Sequence, residues 1–509
     1  MDAVLHRPGS ALAALLLAQV FLYWGTAILT QMNLHFDAVE MLVWGREWRL
    51  TYWKHPPLPA WVMQAMFVAT GGRPWAVTVT GPLFVAATFW AVWALARRIL
   101  PARQAFLAVM PLVGIAYYGF TSVEFNHNVV QYPFFALVPL LLHRALRGGG
   151  AGDWALLGAV AGASIYAKYS VVPLLLAVGL FVVIDRQARA SLRGLGPWLA
   201  AAVAAGVAAP HLLAVAANGF GTLHTPALNA PTARHWWQHA AFPVGWVGAQ
   251  LFNCAGGILV AALLRAWPEP AGRAGGKGAV DPFDRRLVLW MLLAPAAIAL
   301  VYSAVSGQML HPMWGATFFP LLGLGGLVLM PRAPSRRAVA AATALAAVLF
   351  AANLLGYAGR NLFEPLYSGR GMRPQYPGPA LAVGFERAWA EKYGDRPIPT
   401  LVGGHWAAGN IMIYGRARPP VLIDARPERS PWIDPESLTR DGAVFVWVMQ
   451  APEATRDSVD WWMQPWFDSI CVQGVVEAPW QTWIDLPPVR LGWATFGPLC
   501  DKPPVFPPQ

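Results

Sequence analysis

Between residues 11 and 358 the chain repeats one pattern: apolar runs of about 18 to 25 residues, each able to cross roughly 30 Å of hydrocarbon as a helix, separated by short polar or basic stretches. The runs predict spans at 11–30, 75–97, 104–120, 129–146, 154–168, 169–185, 196–217, 242–266, 286–305, 313–330 and 336–358, eleven in all. The stretch Pro57 to Ala69 is also apolar, but it is short and follows two prolines. It is expected to lie at the interface or to re-enter. From about residue 359 the runs shorten, acids enter, and proline and tryptophan become dense. Thr400 to Gly403, Val421 to Ile423 and Ala443 to Val448 read as short buried strands, and Phe385 to Lys392 and Ala408 to Tyr414 as helical pieces. The predicted fold is therefore an all-α polytopic membrane domain of about eleven transmembrane helices over 1–358, with a first outer loop at 31–74. A small α/β extracytoplasmic domain over 359–509 follows.

Composition supports the same class. Hydrophobic residues are 56% of the chain and charged ones 12%, a balance that suits folding in lipid and that a soluble domain does not need. Under the eleven-span count the basic residues fall on one face: Arg97, Arg98 and Arg103, then Arg144 and Arg147, then Arg186, Arg189 and Arg193. They continue with Arg265, Arg273, Lys277, Arg285 and Arg286, and end with Arg332, Arg336 and Arg337. That face is expected to be cytoplasmic, with the N-terminus on it and the C-terminal domain outside. The net charge of +11 then reports topology, and no nucleic-acid partner is expected. The first helix follows Arg7 and reads as a retained anchor. Gly148 to Gly152 and Ala271 to Gly278 read as flexible linkers. Cys254 lies inside a span and suits packing, whereas Cys471 and Cys500 fall in the outer domain, where a disulfide is possible and its absence equally so.

The chemistry concentrates in the loops on the opposite face. Asp37 stands just past the first span, where partial desolvation would raise its basicity and suit it to deprotonating an acceptor hydroxyl; an interfacial acid marking a helix end is the plainer alternative. Glu40 shares its helical face if Phe36 to Trp48 is helical, and Arg46 or Glu47 could pair with these acids. Lys54 and His55 precede Pro56 and Pro57, whose fixed backbone would hold two cationic donors toward a phosphate. A second outer loop, Thr121 to Asn128, brings Glu124, Asn126 and His127. Lys168 interrupts an apolar stretch, where a buried ammonium costs roughly 2.5 to 3.5 kcal/mol, and is expected at an outer turn. His211 and His311 read as packing or capping residues. His235 and His239 would share a helical face, but with His224 they lack a nearby cysteine or carboxylate to complete a metal site.

Asp37 after the first span, His55-Pro56-Pro57-Leu58, Ala167-Lys168-Tyr169 and Met313-Trp314-Gly315 together resemble the membrane glycosyltransferases of the protein mannosyltransferase and aminoarabinose transferase type, over about residues 15 to 330. That family-39-like group has the multi-span C-type fold. The resemblance implies a bacterial inner-membrane enzyme using a polyprenyl-phosphate-linked sugar donor and an envelope acceptor that is a glycan, lipid or protein. It makes Asp37 the catalytic base, sets Lys54 and His55 beside the donor phosphate and matches Lys168 to the lysine of the mid-chain span; the residues themselves add Glu124 as a second catalytic candidate and Arg46 as a further phosphate-binding one. Glu40, Asn126 and His127 would line the substrate pocket. The chain departs from the pattern in having Ala38, Val39 and Glu40 after the first acid, and Glu124 with Asn126 where an Asp is often seen. The scheme requires no cofactor or metal, and leaves a divalent ion open. A secondary transporter or lipid flippase would fit the spans and basic loops equally, but not the charged first loop, the outer domain or the lack of visible repeats; an assembly scaffold is a third possibility.

Overall fold

A computed structural model describes residues 7–219, 231–269, 280–451 and 453–503. His224, Arg273, Lys277 and the Ala271 to Gly278 linker lie outside the described residues. The helices are α1 Pro8–Thr30, α2 Phe36–Gly45, α3 Leu58–Ala69, α4 Thr80–Ile99, α5 Ala102–Val113, α6 Tyr132–Leu146, α7 Ala151–Ile165 and α8 Val172–Ile184. They continue with α9 Gly196–Ala217, α10 Gln238–Ala266, α11 Pro282–Ser306, α12 Leu322–Val328, α13 Arg336–Ser368 and α14 Gly378–Tyr393. Beyond these the chain alternates β1 Thr400–Gly403, α15 His405–Tyr414, β2 Val421–Ile423, α16 Pro435–Arg440 and β3 Ala443–Val448, then runs through β4 Cys471–Ala478 and β5 Val489–Phe496.

Every predicted span carries helix, but among the described residues seven helices are long and apolar enough to cross a membrane, or eight if the bent pair Tyr169–Ile184 and Arg186–Arg193 is one crossing. The helices α5 and α7, of 12 and 15 residues, are shorter than a full span.

The chain forms two compact units. The helical unit comprises 1–26, 54–59 and 79–357; the α/β unit comprises 27–53, 60–78 and 358–509. The first outer loop is thus divided, with most of it in the same unit as the C-terminal residues.

In the helical unit, large apolar side chains such as Phe21, Leu176, Leu213, Phe252, Leu293 and Val348 are exposed on the helix surfaces, as lipid-facing residues are. Small residues set a close helix crossing. A Cβ on Gly158 would lie 2.3 Å from the Ala200 carbonyl oxygen, and one on Gly162 2.5 Å from that of Ala204, so α7 and α9 meet backbone to backbone through a Gly-xxx-Gly face. Gly158→Leu is expected to cost about 1–3 kcal/mol by overpacking. An unchanged thermal unfolding midpoint in detergent would contradict so tight a crossing.

The basic loops gather at one end of this unit. Arg98 Nε donates to His143 Nδ1 at 3.1 Å, and Arg147 reaches Asp281 and Asp284, each at 2.7 Å. Arg286 pairs with Asp185 at 2.6 Å, and Arg337 lies over the Trp267 ring. The ends of α4, α6, α8 and α10 and the starts of α11 and α13 are tied together here, as the one-face distribution of arginines requires. His211 is fully buried between Tyr166 and Tyr169, and His311 accepts from Met313 N at a helix start, so both act as expected for packing and capping. His239 Nδ1 bonds the Ala304 carbonyl at 2.7 Å.

The α/β unit is built on a sheet of order β2-β1-β3-β5-β4, parallel across β2, β1 and β3 and antiparallel from β3 through β5 to β4. Its core holds Phe445, Trp447, Trp462, Trp466 and Phe496. Cys471 and Cys500 are disulfide-bonded, joining the start of β4 to the chain after β5. Residues from the end of α1 and the first loop belong to this unit by direct bonds: Leu34 N donates to the Tyr414 hydroxyl at 2.8 Å, Met32 N to the Pro374 carbonyl at 2.8 Å, and Asn361 Nδ2 to Thr30 Oγ1 at 3.1 Å. Helix α2 lies along α15, where Gly409 leaves room for Val39 and Val43.

Candidate active site

In the helical unit the polar residues opposite the arginine-rich end are arranged by backbone geometry. Pro56 and Pro57 deny the chain two donors, and the next amide, Leu58 N, donates to the Tyr166 carbonyl at 2.9 Å. This bond anchors the Lys54-His55 tract to the end of α7, two residues before Lys168. Lys168 occupies the turn between α7 and α8, as its charge predicted. Its ammonium donates to Asn128 Oδ1 at 2.7 Å and lies 5.5 Å from the Trp314 ring centroid. Ser170 Oγ donates to Gln131 Oε1 at 2.8 Å, and Gln131 Nε2 donates to the His127 carbonyl at 3.0 Å. The second outer loop is thereby fixed to the Lys168 turn.

Lys54, His55 and Lys168 line one cavity of about 370 Å³ whose remaining wall is largely apolar, including Leu176, Trp246, Leu310, Trp314 and Phe318. A wider apolar groove of about 1010 Å³ between α8 and α11 adjoins it at Ile298, which lines both. Lys54 and Lys168 at the cavity end of a largely apolar trough, whose far end holds Arg186 and the Asp185–Arg286 pair, suit an amphiphile with an anionic head.

The His55 ring lies against His127, with centroids 3.8 Å apart and the planes tilted by 34°. Burial pushes the His55 imidazole well below its ordinary pKa, and His127, Lys168 and Lys54 act in the same direction. His55 is therefore neutral at pH 7. The Lys54-His55 tract thus offers one ammonium and one imidazole whose protonation its neighbours oppose.

Glu124 and Asn126 fall in the same loop with different roles. Asn126 is buried, its Oδ1 accepting from Asn128 N at 2.8 Å and Val129 N at 3.2 Å while Nδ2 donates to the Glu124 carbonyl at 3.1 Å. All its capacity shown here goes to shaping the turn before α6. Glu124 is half-buried.

Asp37, Glu40 and Arg46 belong to the α/β unit. His35 caps α2, its Nδ1 accepting from Ala38 N at 3.3 Å, and Asp37 follows in the first turn, half-buried, where the helix dipole favours a carboxylate. Glu40, one turn on, is fully buried with Oε1 3.4 Å from His405 Nε2. The helix ends at Gly45, before the predicted Trp48, which takes a left-handed backbone at φ 44°. Arg46, just past this end, donates to the Arg418 carbonyl and lies 3.8 Å from Glu47.

The sequence reading names no role for His405, Gln131 or Ser170 and takes Asn128 only as part of the second outer loop. Asn128 was visible as an amide in a polar loop. His405 follows Gly403-Gly404 after a strand, and nothing in the sequence ties it to Glu40.

This is the architecture of a polytopic helical membrane protein carrying a small α/β unit. Residues 54–213 match the model of the family described as dolichyl-phosphate-mannose-protein mannosyltransferase. The whole chain is similar to ArnT from Cupriavidus metallidurans, solved bound to undecaprenyl phosphate: 15% identity, 94% of this chain and 97% of that one covered, TM-score 0.59. The apo structure of the same protein gives 15% identity, 95% and 98% coverage and a TM-score of 0.58. No curated protein sequence matches. At this identity the likeness establishes the fold, and the expected C-type helical domain with its α/β companion is borne out.

Proposed function

We propose that the protein transfers a sugar from a polyprenyl-phosphate-linked donor to an envelope acceptor on the extracytoplasmic side of the bacterial inner membrane. The arginine-rich end then faces the cytoplasm and the α/β unit the periplasm. The observation that carries this reading is the cavity in which Lys54, His55 and Lys168 meet the apolar groove between α8 and α11. A lipid phosphate satisfies both halves of such a site: its headgroup meets the ammonium groups, and its chain occupies the groove. The match to a mannosyltransferase family model over the segment holding all three residues, and the undecaprenyl phosphate bound to the similar ArnT, support the assignment.

In the proposed reaction Asp37 takes the proton of an acceptor hydroxyl as its oxygen attacks the anomeric carbon. The sugar passes through an oxocarbenium-like state, and the bond to the lipid phosphate breaks with its electron pair on the phosphate oxygen. Lys54 and Lys168 stabilise the growing charge, and the His55 imidazole donates a hydrogen bond. A single displacement inverts the anomeric centre. NMR of donor and product should show opposite anomeric configurations; retention would exclude this scheme.

The depressed pKa of His55 carries a sign that can be measured. An arriving phosphodiester offsets the ammonium charges that oppose protonation, so the His55 pKa rises on binding and a proton is taken up. Binding of a non-hydrolysable phosphodiester donor analogue, which does not itself titrate near neutrality, should tighten as pH falls through the range in which the bound-state imidazole takes up its proton. His55→Gln should flatten that dependence, and a wild-type affinity independent of pH would remove the linkage.

A further inference from the structure

In the α/β unit the direction of connection reverses at β1. The chain leaves β1 through α15 to reach β2 on one side, and then places β3 on the other, both in parallel register with β1. The crevice beyond the carboxyl ends of β1 and β3 is the topological switch point, where open α/β sheets bind ligands.

A cleft of about 560 Å³ occupies this position. Trp406 enters it from the first turn of α15, and Gln450 from the residues after β3. Tyr376 comes from the segment before α14, and Trp480 from the connection between β4 and β5. Tyr376 lies 4.9 Å from Trp406 and 5.8 Å from Trp480, centroid to centroid, at 58° and 78°. The rings therefore form an angled aromatic wall. Its parts are fixed, since Gln481 N donates to the Gln375 carbonyl at 3.0 Å and a Cβ on Gly371 would come within 2.3 Å of the Trp480 ring.

Arg373 and Arg490 stand on the same lining, and no carboxylate does among the described residues. Glu477 accepts from Arg490 Nε at 2.6 Å, which orients that guanidinium and leaves its Nη groups for a ligand. Aromatic faces take the apolar face of a sugar ring, while guanidinium forks take phosphate or carboxylate. We propose that this cleft binds an anionic saccharide, a sugar ring bearing a phosphate or carboxylate, at a site separate from the donor-phosphate cavity of the helical unit. The proposed transfer mechanism uses none of these residues.

The test is ligand-observed NMR on the full-length protein in detergent with glucose 1-phosphate and with uncharged methyl glucoside. Ring protons of the sugar phosphate should receive saturation, and the uncharged sugar should bind about tenfold more weakly or worse, the loss expected for charge-assisted hydrogen bonds. Trp480→Ala should abolish the ring-proton signal, and Arg373→Gln, at an exposed position, should weaken the sugar phosphate while sparing the uncharged sugar. A second arm uses the deacylated headgroup of a phosphorylated glycolipid: tighter binding than the free sugar phosphate points to a membrane source, and the reverse order to a soluble one. Equal binding of charged and uncharged sugars, signals that survive both substitutions, or signals lost in Lys168→Gln protein and kept in Trp480→Ala protein would each overturn the proposal. The last outcome would assign the phosphate to the helical unit.

Discussion

Asp37→Asn protein is expected to insert, fold and bind donor lipid as the wild type does, and to lose about 10²- to 10⁴-fold in transfer rate, the contribution typical of a positioned general base. The change is isosteric, and Asp37 sits half-buried in the first turn of α2, where it makes no bond on which the helix depends: the cap is supplied by His35. Loss of stability is therefore not the expected route to loss of activity. Single-turnover measurement with saturating donor separates the chemical step from binding. Full activity in the variant would remove the base role, and equal loss of donor affinity would move Asp37 from chemistry to binding.

Lys168→Gln is expected to weaken binding of undecaprenyl phosphate by about 10- to 150-fold, the equivalent of roughly 1.5–3 kcal/mol for one charge-assisted hydrogen bond. The ammonium is held by Asn128 and faced by Trp314, so it is positioned before any anion arrives. Asn128→Ala keeps the charge and releases that hold. It should produce the smaller loss, restricted to orientation. If instead both variants bind as the wild type does, Lys168 is a snorkelling cation at a helix end, and the phosphate lies elsewhere.

Local pattern carried much of this structure. Strands β1, β2 and β3 are continuous apolar runs buried on both faces, and they stand at the residues that pattern predicts. Strands β4 and β5 were missed. In β4 Val472 and Val475 are exposed, Gly474 interrupts the run, and a bulge lies between Val472 and Gly474, so neither alternation nor a buried run survives. The β5 sequence follows two prolines and holds Gly492, which lies against the Trp447 ring. The disulfide was an open choice because its sulfurs meet only through the β4–β5 register.

Residue type in otherwise apolar surroundings singles out Lys54, His55 and Lys168, which line one cavity. Two properties were not legible. The neutrality of His55 depends on burial and on three neighbours brought from 54, 127 and 168, which no local window contains. The membership of Asp37 and Glu40 in the unit built on residues 358–509 rests on bonds such as Leu34 to Tyr414, 380 positions apart. The number of membrane crossings is a third case, because α5, α7 and α12 read as parts of full spans but form short helices.

The proposed activity is cleavage of a sugar–phosphate bond on a polyprenyl carrier. It is tested most directly in proteoliposomes holding the purified protein, a panel of undecaprenyl-phosphate-linked pentoses and hexoses, and an envelope extract as acceptor. For at least one donor, free undecaprenyl phosphate should accumulate one for one with sugar on the acceptor, and only with the wild-type protein. Movement of the lipid or its sugar across the bilayer with the sugar–phosphate bond intact would contradict the account and identify a transporter instead.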